Sequence, residues 1–233
     1  MSPVLAQDSY SPTVKSDARI AAFFDMDRTL LRCNTGTRWL QFMRRRGEIS
    51  VWKTLRAIGW LARYKLSILD MEAVTALAVQ DVRGGSEADM IETTRRWLEQ
   101  EILQEVAPLA LEAIEFHRRQ GHLLAILSSS TRYVTEPLAA HLGIEHVLCT
   151  RFVVDEGRFA GTHVRPACYG EGKVHWAEAF ARQHHIDLDA SWFYTDSHTD
   201  LPMLRRVGVR RVINPDMRLR LTAAREGWEV HSW

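Results

Sequence analysis

The 233 residues are 46% hydrophobic and 25% charged, which excludes a largely disordered chain and fits one large globular domain or a domain carrying an insertion. Lys and Arg number 30 against 29 Asp and Glu, so no global charge favours nucleic acid or an anionic membrane. Three cysteines, Cys33, Cys149 and Cys168, are odd in number and lack CxxC spacing, which speaks against a disulfide scaffold and for a reducing, cytoplasmic setting.

Residues 1–18 read as a polar, mostly unstructured leader without the apolar core of a signal peptide, and no later run is long and apolar enough to span a bilayer. The first strand candidate, Ile20 to Phe24, runs into Asp25. Next comes a stretch with helical periodicity and no clear strand: Trp39 to Met43, Trp52 to Leu61, Ile68 to Val82 and Met90 to Leu103, with Gly84-Gly85-Ser86 breaking the third from the fourth. This predicts an all-helical insertion over residues 34–104, which leaves residues 19–33 and 105–233 as the α/β core. An insertion directly after a strand's C-terminal end is placed to cover a ligand site.

In the core, Pro108 to Gln120 is amphipathic and stops at Gly121. Leu123 to Leu127 reads as the second strand and runs into Ser128, followed by a helix from Thr131 to Leu142. His146 to Cys149 is a weaker strand, and residues 151–165 read as a hairpin around Asp155-Glu156-Gly157. A helix over Val174 to His184 precedes the strands Trp192 to Tyr194 and Val209 to Ile213. Continuous apolar strands of this kind suit a parallel sheet covered on both faces.

The chemistry collects where these strands end. Asp25 and Asp27 lie two apart just past the first strand, and their repulsion calls for a cation or a shared proton, although an Asx turn uses the same residues. The run does not fit an EF-hand, whose required Gly and Glu would fall on Leu30 and Gly36. Ser128-Ser129-Ser130 suits a helix N-cap, an arrangement compatible with anion binding. Lys173 opens a helix after Gly172 without a Walker pattern, and a lone lysine is most often solvated. Asp196 closes a strand, and Asp200 lies just before Pro202 at a helix start. Each signal is weak alone. In this order, all at one sheet edge, they gather carboxylates, hydroxyls and an ammonium suited to Mg²⁺ and a phosphate.

The ordered set DMDRT, Ser128, Lys173 and DSHTD resembles the four motifs of the haloacid dehalogenase superfamily of phosphohydrolases, over nearly the whole chain from Ile20. The helical insertion, the hairpin and the tail NPDMRLRLTAAREGW are similar to its phosphoserine-phosphatase-like branch. The resemblance implies a doubly wound, Rossmann-like α/β core with an inserted helical cap. It implies a Mg²⁺-dependent enzyme that hydrolyses a small phosphomonoester through an aspartyl-phosphate. Asp25 would then be the nucleophile and Asp27 the general acid and base. Asp25, Asp196 and the Asp27 backbone carbonyl would hold Mg²⁺. Thr29, Ser128 and Lys173 would hold the phosphoryl group, and Asp200 would orient Lys173 or a metal-bound water.

Two positions depart from the pattern. Arg28 stands where the family usually has a small residue, able to reach a substrate anion or to serve only its neighbours. Asn34 stands nine positions after the nucleophile, where phosphoserine phosphatases carry a Glu for the substrate ammonium; a neutral amide makes phosphoserine a poorer fit and marks Arg28 and Asn34 as specificity positions. Phosphoserine, histidinol phosphate and a lipid phosphate remain candidate substrates, and the sequence leaves the oligomeric state open.

Rival readings are weaker. A receiver-like signalling module would be about half this length with its phosphorylated Asp on a middle strand. A phosphate-binding pseudoenzyme would lack some catalytic group, and a phosphomutase would return the phosphoryl group to a substrate. The ten histidines, including His117, His122 and His184-His185, have no zinc-ligand spacing. Arg44-Arg45-Arg46 reads as a solvated helix end, and Trp39, Trp52 and Trp60 as cap core. Residues 51–69, apolar and basic with Trp and Tyr, also suit an interfacial helix, with bundle core the favoured reading.

Overall fold

The computed structural model describes residues 18–47 and 71–233. The expected leader, the Trp52 to Leu61 helix with Trp60, and the interfacial segment 51–69 lie outside the described residues. Six strands form one parallel sheet: β1 (Ala21–Phe24), β2 (Leu123–Thr131), β3 (His146–Thr150), β6 (Trp192–Thr195), β7 (Val209–Ile213) and β8 (Val230–His231). Their spatial order is β3-β2-β1-β6-β7-β8, so the order reverses between β1 and β6, the switch point where α/β sheets place ligands. β4 (Phe152–Asp155) and β5 (Arg158–His163) form a separate antiparallel pair.

The apolar runs became strands because both faces of the sheet are covered. All four residues of β1 are fully buried. Ala22 and Phe24 belong to one apolar cluster, and Ala21 and Phe23 to another on the opposite face, the alternation a strand imposes. Helices α4 (Pro108–Arg119) and α5 (Arg132–Leu142) supply the first cluster, and α6 (Glu171–His184), α7 (Leu201–Arg206) and α8 (Met217–Glu226) the second. The hairpin turn has positive φ at Glu156 (45°) and Gly157 (75°), the two-residue geometry that matches strand twist.

Between β1 and β2 lie α1 (Thr35–Arg45), α2 (Met71–Asp81) and α3 (Glu87–Trp97), the last started by Ser86, whose hydroxyl accepts from Asp89 N. α3 runs on into a π-helical turn, Leu98–Ile102. Trp39, Phe42 and Trp97 pack ring to ring, with Trp39 and Trp97 centroids 5.1 Å apart. They join the same cluster as Phe24 and Ile126, so these helices share apolar packing with the sheet. Arg44, Arg45 and Arg46 are exposed at the end of α1, as a solvated helix end requires.

One local expectation fails. The serines after Leu127 do not cap a helix: β2 continues through Thr131, with a register shift against β3 between Ser128 and Thr131, and α5 starts at Arg132 without a side-chain cap. The Ser128 hydroxyl instead accepts from Ser130 N at 3.2 Å, which bends the strand end around it. No helix among the described residues is long and apolar enough to cross a membrane.

Candidate active site

Asp25, Ser128 and Asp196 follow or terminate neighbouring parallel strands, so the sheet delivers them to one edge. Asp25 N donates to Tyr194 O at 2.9 Å, which continues the β1–β6 pairing to the nucleophile candidate. Lys173 comes from α6, whose entry is tight: a Cβ on Gly172 would stand 1.9 Å from Ala167 O. Only glycine fits there, and the close approach fixes where the next side chain starts.

The Lys173 ammonium is buried and donates to Asp25 Oδ1 and to Asp200 Oδ2, both at 2.7 Å. Burial alone would lower its pKa, but the Asp200 and Asp25 carboxylates outweigh burial and keep it above the usual lysine value. Asp200 Oδ2 also accepts from Thr195 Oγ1 at 2.6 Å. Asp200 therefore spends its carboxylate on holding Lys173 and the end of β6 rather than on capping α7.

Asp27 is held differently. Its Oδ1 accepts from Thr35 N at 3.0 Å and its Oδ2 from Asn34 Nδ2 at 2.9 Å. Both carboxyl oxygens thus face the N-terminal turn of α1, where free N–H groups and the helix dipole favour an anion. Burial works against this and raises the Asp27 pKa, with the Thr35 hydrogen bond pulling it back. Asn34 is also the N-cap of α1, its Oδ1 accepting from Thr37 N and Thr37 Oγ1, each at 2.9 Å.

Between Asp27 and Thr29 the chain turns through Arg28 at φ 56°, the left-handed region, at a cost of about 1–3 kcal/mol for a residue with a side chain. This explains why a small residue suits the position. Arg28 N donates to Cys33 O at 3.1 Å, its carbonyl accepts from Asn214 Nδ2 at 3.4 Å, and its side chain is exposed. Thr29 is fully buried, and its Oγ1 has no hydrogen-bond partner among the described residues.

Asp25 and Asp196 are both buried, and among the described residues none donates a hydrogen bond to the Asp196 carboxylate. Burial raises Asp25 to about 7, with Lys173 opposing and Asp200 adding to the rise. Burial followed by repulsion from Asp25 and Asp200 raises Asp196 to about 8. Two oxygen-donor acids disfavoured as anions at one strand edge fit a hard divalent cation. No group of three or more Asp, Glu, His or Cys side chains among the described residues could hold a metal ion. A Mg²⁺ ion needs no such group, because it takes one or two carboxylates and keeps several waters.

The structure thus brings together Asp25, Lys173 and Asp200 by direct contact, and Asp25 with Asp196 by adjacent strand ends. Asp27 with Asn34 forms a second group at α1. Thr195, which anchors Asp200, went unnoticed in the sequence because a Thr before a strand-end Asp carries no signal of its own. Asp216 was also missed: it accepts from His198 N at 2.9 Å and from Leu219 N at 2.8 Å, tying the loop after Asp196 to α8. His117 is buried and His122 partly buried, their Nδ1 atoms 2.8 Å apart, and His117 Nε2 meets Tyr194 Oη at 2.8 Å.

The sequence model for haloacid dehalogenase-like hydrolases matches residues 22–205. A probable phosphatase of Mycobacterium tuberculosis is 30% identical over 93% of this chain and 76% of its own length. A histidinol-phosphatase of Neisseria meningitidis is 25% identical over 90% of this chain and 96% of its own. A solved phosphoserine phosphatase, determined as a phospho-aspartyl intermediate analogue, superposes with a TM-score of 0.68 at 17% identity, covering 93% of this chain and 94% of that one, a likeness of fold.

Proposed function

The chain belongs to the haloacid dehalogenase-like hydrolase family, and from that premise we propose that it is a phosphatase that cleaves a small phosphomonoester through an aspartyl-phosphate on Asp25. The observation that carries this reading is the buried Lys173 ammonium bonded to Asp25 and Asp200 at 2.7 Å. It leaves Asp25 Oδ2 uncommitted and fixes a positive charge beside it.

An uncommitted Asp25 oxygen attacks phosphorus while the bond from phosphorus to the ester oxygen breaks. Asp27 gives its proton to the departing oxygen, which leaves as an alcohol. The resulting Asp27 carboxylate then takes a proton from water. The water oxygen attacks phosphorus, the Asp25–phosphorus bond breaks, and phosphate leaves with the Asp25 carboxylate restored. Lys173 offsets the charge on the phosphoryl oxygens. Ser128 Oγ and the unpartnered Thr29 Oγ1 are hydroxyls available to those oxygens. Asp25, Asp196 and the Asp27 carbonyl would hold Mg²⁺, which supplies Lewis-acid neutralisation of the phosphoryl charge. The helices α1 to α3 serve as the cover that reads the rest of the substrate, with phosphoserine, histidinol phosphate and lysophosphatidate as the esters to compare.

Asp25→Asn keeps the side-chain shape and removes the nucleophile. Hydrolysis of p-nitrophenyl phosphate with Mg²⁺ should fall by at least about three orders of magnitude, as for a group acting in the transition state. A variant retaining a tenth of the wild-type rate would place the nucleophile elsewhere.

A further inference from the structure

We propose that Asn34 is a positioning residue that holds the Asp27 carboxyl in line for its two proton transfers, rather than a reader of the substrate. The inference rests on the reading of Asp27 as general acid and base. Both ends of the Asn34 amide are committed: Nδ2 to Asp27 Oδ2 at 2.9 Å, and Oδ1 to Thr37 N and Thr37 Oγ1 at 2.9 Å. The Thr37 contacts also fix which end of the amide faces Asp27. If the amide flipped, its NH₂ would confront the Thr37 N–H, leaving the first turn of α1 uncapped. Thr35 N takes the other Asp27 oxygen at 3.0 Å, and the Thr35 side chain also bonds the carboxyl, so Asn34 and Thr35 together keep it from rotating freely.

The grip matters because Asp27 has little else. Lys173 serves Asp25 and Asp200. The Asp27 partners are all on the first turn of α1, so the placement of the acid and base depends on where that helix begins. Without the Asn34 contact the carboxyl is held from Thr35 alone, and displacing a proton-transfer group by about 1 Å can cost some 100-fold.

The test uses Asn34→Ser and Asn34→Thr. Both keep an N-cap acceptor for Thr37 N, add no charge beside Asp27, and have hydroxyls too short to replace the amide's reach to Asp27 Oδ2. Relative to wild type, Asn34→Ser should lower kcat for β-glycerophosphate, a poor leaving group, by about 10- to 100-fold with KM within about threefold. p-Nitrophenolate leaves without a proton, so with p-nitrophenyl phosphate the first turnover should be nearly unchanged. Water attack should slow, and phosphate covalently attached to Asp25 should accumulate on acid quench. Asn34→Thr should show the same defects, and both variants should keep the wild-type melting temperature within a few degrees.

Asp27→Ala is the control for the underlying mechanism. If it accumulates the adduct and Asn34→Ser does not, the positioning role is overturned while the acid–base role stands. If neither accumulates it, the acid–base reading itself fails. A rise in KM for β-glycerophosphate with kcat unchanged would make Asn34 a substrate contact. Wild-type kinetics in both cap-preserving variants would reduce Asn34 to a helix cap.

Discussion

Asp25 and Asp196 are buried acids held against their charge, and the sign of that tension can be read in stability. Their folded pKa values, about 7 and about 8, lie far above the ordinary carboxylate range of the unfolded chain. Between that range and pH 8 the folded state binds more protons than the unfolded one, so stability falls as pH rises. The stabilisation is fully present near pH 4 and is lost through pH 7–8. His117, held well below its usual value by burial, gives the opposite slope, but only below about pH 6.5 where the unfolded imidazole protonates. The informative window is therefore pH 6.5–8.5. Metal-free protein should melt at progressively lower temperature across it, and Mg²⁺ should raise the melting temperature more at pH 8.5 than at 6.5, because the ligands must be ionised. Asp196→Asn should flatten the slope and shrink the Mg²⁺ shift. A slope and shift unchanged in that variant would remove Asp196 from the cation site.

At the scale of elements, the strands were legible because a parallel sheet buries both faces and so writes unbroken apolar runs. The hairpin was legible from Asp155-Glu156-Gly157. The end of β2 was not: three serines look like a cap, and only the neighbouring strand shows that they continue the ladder to Thr131. The order of Asp25, Lys173, Asp196 and Asp200 could be read from sequence, while the partition of carboxylates between Lys173 and α1 needed distances. Contacts between distant elements left no local trace either. Glu72 on α2 accepts from Ala167 N at 3.0 Å, meets His163 Nε2 at 2.8 Å, and lies 3.2 Å from Arg165 Nε. Burial opposes its charge, but Ala167 N, His163 and Arg165 outweigh burial and hold the carboxyl below its usual range. One inserted helix thus grips the segment that leads through Gly172 to Lys173. A hydrogen bond to a charged group contributes about 1.5–3 kcal/mol. Glu72→Ala should accordingly raise hydrogen exchange at the Ala167 amide by about 10- to 100-fold. Unchanged protection there would show that the hairpin alone fixes the segment.

At the scale of the whole molecule, the proposed function leaves the sheet edge to hold the phosphoryl group and the helices between β1 and α4 to read the rest of the substrate. The strand ends offer carboxylates, hydroxyls and one ammonium, which suit any phosphoryl group and discriminate little among esters. Selectivity must come from what surrounds them, and beside Asp27 the described residues offer a neutral amide and a cation. Asn34 is neutral and engaged, and the exposed side chain that follows Asp27, Arg28, is itself a cation. Arg28 opposes the rise of the Asp196 pKa, so its field reaches the strand edge. A substrate ammonium brought beside Arg28 meets a like charge, whereas a second anionic group finds a partner. Losing a charged partner in a desolvated site costs about 2–5 kcal/mol, some 30- to several-thousand-fold in rate or affinity. In a phosphate-release screen, phosphoserine should therefore rank below esters without an ammonium. Arg28→Ala should lower kcat/KM for a carboxylate-bearing ester such as 3-phosphoglycerate more than for β-glycerophosphate. Phosphoserine with a kcat/KM above every other ester would mean that another residue binds the ammonium, and the charge argument would fall.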